Sequence, residues 1–90
     1  PIPLTKELLL KMPQFKKSQY FDYKFEYKKG EDYSEGKMFI EVDFNTREIQ
    51  LSICGGGDNS NWVYLPMPEF LHIFQNLFHA LTNEELTIKN

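Results

Sequence analysis

The chain predicts an α+β domain, a four-stranded antiparallel meander in the order α-β-β-β-β-α with both helices packed on one face. Three observations carry that prediction. Toward the C-terminus, Phe70, Ile73, Phe74, Leu77, Phe78 and Leu81 recur at the three-and-four spacing of one buried helical face, predicting a helix over residues 68–81. In the middle of the chain, apolar and polar residues alternate with the period of two that marks half-buried strands. The links between those strands are short, which favours antiparallel neighbours because parallel pairing needs a long crossover.

The elements follow in order. Thr5 can accept a hydrogen bond from an early backbone N–H, so it N-caps a helix over residues 6–12, with Glu7 well placed in the first turn. Leu8, Leu9 and Met12 give its apolar side, and Pro13 stops it. Residues 19–28 read as the first strand: Phe21, Tyr23, Phe25 and Tyr27 alternate with Asp22, Lys24, Glu26 and Lys28, which puts all four aromatics on one face. Residues 29–36 hold two glycines and several charges and read as a mobile surface loop. Over residues 38–44, Met38, Ile40, Val42 and Phe44 face one way, with Phe39, Glu41 and Asp43 opposite. Asn45-Thr46-Arg47-Glu48 forms a tight turn, asparagine being favoured there. The alternation resumes with Ile49, Leu51 and Ile53 against Gln50, Ser52 and Cys54. A glycine-rich loop over residues 55–61 leads to a fourth strand over residues 62–65. Pro68 suits the first turn of the long helix, and Asn83 tolerates the left-handed conformation that ends it.

Ninety residues make one domain, and a chain of this size buries only about 60–65% of its unfolded surface. Fourteen aromatic residues compensate, each covering roughly 150–250 Å² when packed. The single cysteine, Cys54, excludes an intramolecular disulfide and fits a reducing compartment or a tolerated free thiol. No signal-peptide pattern and no run approaching the roughly 20 apolar residues of a membrane span is present, so the sequence reading is cytoplasmic, with no membrane partner. The start at Pro1 implies either a removed initiator methionine or a piece of a longer chain. The net charge is −3 and unevenly spread: residues 1–47 hold nine of the ten basic groups, and residues 48–90 hold five acids against Lys89.

No motif for catalysis, cofactor binding or metal binding stands out, and the expectation is a non-enzymatic chain with no cofactor. His72 and His79 lie two helical turns apart, about 10.5 Å along the axis, too far for one ion held at about 2 Å. Gly55-Gly56-Gly57 lacks the Lys-Ser/Thr of a phosphate loop and the following helix of a dinucleotide fingerprint. Cys54 with a histidine as base defines a small-enzyme alternative, but a single cysteine and two histidines carry little weight without a hydrogen-bonded pair and an oxyanion site. A second alternative is a nucleic-acid-associated accessory domain, in which Lys16, Lys17, Lys24, Lys28, Lys29 and Lys37 track a backbone while the aromatics of the first strand stack bases. Against it, the basic residues alternate with acids instead of forming a patch.

The leading expectation is protein interaction through the sheet face that the helices leave open, or through an edge strand, including self-association. Phe39 falls among Lys24, Glu26, Glu41 and Asp43, and either Trp62 and Tyr64 or Val63 and Leu65 join it. Exposed together, Phe39 and Trp62 make an apolar patch rimmed by charges such as Lys24 and Glu41, the pattern of a partner surface.

The two ends of the chain also carry a resemblance. Residues 72–86, His-Ile-Phe-Gln-Asn-Leu-Phe-His-Ala-Leu-Thr-Asn-Glu-Glu-Leu, resemble a recurrent ending close to "LQNLYFALTGEEL" in small uncharacterised proteins of Bacteroides-type bacteria and their phages or mobile elements. The opening Pro-Ile-Pro-Leu-Thr-Lys-Glu-Leu-Leu-Leu-Lys resembles the "PIPLTEEWLLKFGF" segment of the same proteins. Between the ends only the strand pattern matches. The resemblance implies that this chain corresponds to the C-terminal domain of longer members, which carry a β-rich segment upstream. It brings no established activity and therefore no site residue. Where the family often has glycine after Ala-Leu-Thr, this chain has Asn83, so the ending reads physically as a helix stop followed by an extended tail over residues 84–88.

Overall fold

A computed structural model describes the backbone of residues 1–30, 37–54 and 60–88, and the side chains of these except 53, 54, 60 and 61. The elements run α1 (Lys6–Leu10), β1 (Lys16–Lys17), β2 (Lys24–Lys29), β3 (Met38–Asp43), β4 (Glu48–Cys54), β5 (Ser60–Pro66) and α2 (Leu71–Thr82). The strands pair antiparallel in sequence order, β1-β2-β3-β4-β5. The α+β class and the meander are those the sequence predicts. The strand count is corrected: the described sheet has five strands, not four. The additional β1 is two lysines opposite Glu26 and Phe25. So short a strand has no apolar alternation to announce it, and it forms because the chain doubles back along the edge of β2, with Ser18 N–H donating to Lys24 C=O at 2.9 Å.

That reversal corrects the predicted first strand as well. The strand starts at Lys24, not at residue 19, because residues 18–23 turn the chain from β1 into β2. Only Phe25 and Tyr27 of the four alternating aromatics are buried; Phe21 is exposed and Tyr23 half-buried. The turn after β3 is held by Asp43, whose carboxylate accepts from the N–H groups of Asn45 (2.8 Å) and Thr46 (3.2 Å), and it closes through Arg47 at φ 59°. The charged loop and the glycine-rich loop expected from the sequence fall largely on residues 31–36 and 55–59, outside the described residues. Pairing with the neighbouring strands draws Lys29 into β2, Glu48 from the expected turn into β4, and Ser60, Asn61 and Pro66 into β5, which is longer than the expected 62–65.

One core lies between one sheet face and the two helices. Phe25, Tyr27, Ile40, Val42, Ile49 and Leu51 point into it from the sheet, and Leu9 of α1 with Leu71, Phe74 and Phe78 of α2 close it. Phe15, which has no periodic signature, sits at its centre, its ring 5.7 Å from both Phe74 and Phe78 and 6.0 Å from Tyr27. Thr5 caps α1 as predicted, accepting from Leu8 N–H at 3.3 Å. That helix ends at Leu10, and Met12 is buried from the turn that follows.

The long helix begins at Leu71, with Pro68 and Phe70 outside it. The cause is the N-terminal arm. Pro3 bridges Phe70, Leu4 N–H donates to Glu69 C=O at 2.9 Å, and Ile2 C=O accepts the Leu71 N–H at 2.8 Å. The arm thus holds the chain extended up to Phe70 and satisfies one of the helix's unpaired first-turn donors. The buried stripe is accordingly Leu71, Phe74, Phe78 and Thr82; Ile73 is exposed, and Leu77 and Leu81 flank the stripe. The end is as predicted: Asn83 takes the left-handed conformation (φ 60°) and donates to His79 C=O at 2.8 Å.

The tail then locks down. Thr82 Oγ1 donates to Phe78 C=O (2.8 Å) and accepts from Glu84 N–H (3.1 Å). The Tyr27 hydroxyl donates to the Glu84 carboxylate, and Lys29 Nζ donates to Thr82 C=O at 3.2 Å. Gln14 bonds Glu85 C=O and Thr87 Oγ1, and Leu86 is buried. Burial and the Glu84 carboxylate push the Tyr27 phenol above its ordinary value.

Candidate functional site

Strand alternation decides what the helices leave uncovered. With Phe25, Tyr27, Ile40, Val42, Ile49 and Leu51 turned to the helices, the register aligns three rows across the opposite face. One row is Lys28, Phe39, Ser52 and Trp62. The next is Glu26, Glu41, Gln50 and Tyr64. The third is Lys24, Asp43, Glu48 and Pro66. Of the two pairs that the sequence allowed beside Phe39, the structure selects Trp62 and Tyr64; Val63 and Leu65 face the helix side.

Phe39 and Trp62 lie two strands apart, yet their rings meet edge-to-face with centroids 5.6 Å apart and planes at 81°. They do so over Ser52, the residue between them in the row. Ser52 is small enough for the rings to lean across it, and it is buried beneath them. Lys28 Nζ stands 5.6 Å from the centroid of Phe39, placing a cation over the ring. Trp62 keeps 46% of its surface exposed and Tyr64 58%, so the β5 end of the face is apolar, aromatic and accessible.

The other end of the face is ionic. Lys24 Nζ lies 3.2 Å from Glu41 and 3.9 Å from Asp43. The hydrogen bond to Glu41 holds the Lys24 ammonium above its ordinary value despite a smaller opposing effect of burial. The same ammonium sits 4.6 Å from the ring centroid of Phe21, which packs on Tyr23. All four residues singled out from the sequence, Phe39, Trp62, Lys24 and Glu41, therefore share one face, Glu41 one row and Lys24 two rows from the aromatic pair. Ser52 and Tyr64 complete the aromatic end. The β3–β4 turn places Ser52 opposite Phe39, but its position beneath Trp62 follows only from the β4–β5 register.

The six lysines considered as a nucleic-acid track do not converge. Lys16, Lys24 and Lys28 are in register with the open face, where Glu26, Glu41, Asp43 and Glu48 intersperse them, whereas Lys17 and Lys29 are in register with the helix side. Lys29 is engaged at the end of α2. His72 and His79 are both exposed on α2, His72 stacked on Phe70 with planes at 13°. Cys54 closes β4, and its side chain, on which the cysteine–histidine alternative depends, lies outside the described residues. Among the described residues, no three His, Cys, Asp or Glu side chains gather to hold a metal ion, and no helix is long and apolar enough to cross a membrane. Surface hollows lined by residues 17–23 and by Gln75, Asn76, His79, Glu85 and Leu86 lie away from the Phe39–Trp62 pair.

Comparison with known protein families, with curated proteins and with solved structures finds no match to this chain.

Proposed function

We propose that the chain is a non-enzymatic protein-interaction module that holds a partner protein against its open sheet face, with Phe39, Trp62 and Tyr64 as the apolar anchor and Lys24, Lys28 and Glu41 as the polar rim. The observation that carries this reading is the Phe39–Trp62 pair, two large rings ordered against each other on a face that, among the described residues, no other element covers. Partly exposed aromatics at the centre of a charged surround are the usual anchors of protein interfaces. Acids outnumber lysines in the rows on β2, β3 and β4, so the matching partner carries an apolar side chain flanked by basic groups. A cytoplasmic setting, and an origin among the phages or mobile elements that the end segments resemble, belong to the same proposal.

The test uses Trp62, the sole tryptophan. Proteins retained by the wild-type chain are compared with those retained by Trp62→Ser and Phe39→Ser, each checked for an unchanged fold by circular dichroism. A partner of the open face is lost from both variants, shifts the Trp62 emission on binding, and perturbs the amide resonances of Phe39, Ser52 and Trp62. A partner set unchanged by both substitutions refutes the reading.

A further inference from the structure

The sheet ends on two unlike edges. β1 is two residues long, both lysine, a length and charge that oppose pairing with another chain. β5 is seven residues long, and its sequence, Ser60-Asn61-Trp62-Val63-Tyr64-Leu65-Pro66, holds no charge. Among the described residues, the proline at its end is its one usual edge protection.

The ladder phase shows which groups that edge offers. Met67 N–H donates to Arg47 C=O at 3.0 Å, which makes positions 47 and 67 a hydrogen-bonded pair in the antiparallel pattern. Such pairs alternate, so Leu65 opposite Ile49 and Val63 opposite Leu51 spend their main-chain groups on β4. Trp62 and Tyr64 direct theirs outward. Pro66 shares that outward phase, where its lack of an N–H costs no ladder bond. The outward side chains match this pattern on both faces: Trp62 and Tyr64 are exposed on the open side, and Val63 is 48% exposed on the helix side.

We infer that β5 pairs antiparallel with β5 of a second copy of this chain about a two-fold axis through Val63, joining two five-stranded sheets into one of ten strands. In this register Trp62 and Tyr64 of one copy exchange main-chain hydrogen bonds with Tyr64 and Trp62 of the other. Each crossing sets a tryptophan beside a tyrosine on the open face, and the two Val63 side chains meet on the helix side, so every contact joins like with like. A second copy is the occupant that fits because it brings the same neutral edge in the same phase, and one contact covers both unpaired strands. The inference stands beside the open-face reading: pairing uses the main chain of Trp62 and Tyr64 and leaves their side chains on the open face.

The test is sedimentation velocity of the full chain over micromolar to millimolar concentrations. The wild type sediments at twice its 10.7 kDa mass. Val63→Lys and Val63→Glu, each folded by circular dichroism, dissociate, because each puts like charges face to face and weakens pairing roughly a hundredfold or more. An equal mixture of the two variants restores the dimer. A wild-type monomer throughout the range overturns the inference, including the case in which an unrelated extended peptide binds β5 of that monomer. Persistent dimers of Val63→Lys, or a mixture that stays monomeric, overturn the pairing through Val63. Since Val63→Lys leaves Phe39 and Trp62 in place, retention of a partner by the monomeric variant separates this result from the fate of the open-face reading.

Discussion

Both faces of the sheet carry aromatic rings, but the two sets are held differently. On the covered face Phe15, Tyr27, Phe74 and Phe78 form a continuous set of ring contacts, 4.9 to 6.0 Å between centroids, with at most 6% of any of these residues exposed. On the open face Phe39 and Trp62 make one comparable contact, 5.6 Å, with Phe39 half-buried and Trp62 46% exposed. The local geometry is alike and the surroundings are not. Aromatic contact by itself therefore does not distinguish a core from a surface; what distinguishes them is whether a second layer closes over the rings.

Substitutions can break that contrast. The largest expected effect is Phe78→Ala, which empties the centre of the covered face and costs about 3–5 kcal/mol. A domain of this length has a total stability on the order of 5–13 kcal/mol, so a large part of it is lost in urea unfolding. Trp62→Ala removes a ring of similar contact geometry and costs only about 1–2 kcal/mol, because much of that ring is already in water. Equal losses for the two variants would mean that the open face is not open.

An intermediate effect separates the layers by pH. The Tyr27 phenol is pushed up by burial and by Glu84, so the folded chain holds that proton more firmly than the unfolded chain, in which the ordinary value is 10.0. Its contribution to stability is fully present below pH 10 and is lost as pH rises above it. Lys24, raised by Glu41 on the open face, has the same sign but a weaker, partly exposed setting. The melting temperature is expected to fall as pH rises beyond 10, and Tyr27→Phe to fall less steeply than the wild type. The smallest effect is Lys24→Met, at about 0.2–1 kcal/mol near neutral pH by double-mutant cycle with Glu41→Gln.

Legibility in the sequence followed locality. The Thr5 cap, the Asn83 stop, and the alternation of β3 and β4 depend on neighbouring residues, and each stands where the sequence places it. The misplaced features depend on distant ones. Phe21 and Tyr23 continue the alternation of β2, but β1 requires a reversal there. Pro68 and Phe70 continue the helical pattern, but the arm at residues 2–4 holds them extended. Phe15 is buried through ring contacts that no short window contains. Of the two end segments behind the resemblance, residues 1–11 pair just before the first turn of α2, and residues 72–86 are α2 itself with the tail locked after its last turn. Together they build and fasten that helix, and the candidate surface lies on the far side of the sheet.

Of the candidate site, the sequence determined that Phe39, Glu41 and Lys24 would share a face, because a strand's alternation fixes the side of every residue once one side is buried. It left open which way β5 would turn. That was decided by the register between β4 and β5, which places Trp62 opposite Ser52 and Val63 opposite Leu51. Sequence pattern thus set the composition of each strand's two sides. The tertiary structure alone brought Phe39 and Trp62 together across Ser52, because contact between non-adjacent strands depends on pairing register and on the size of the residue between them.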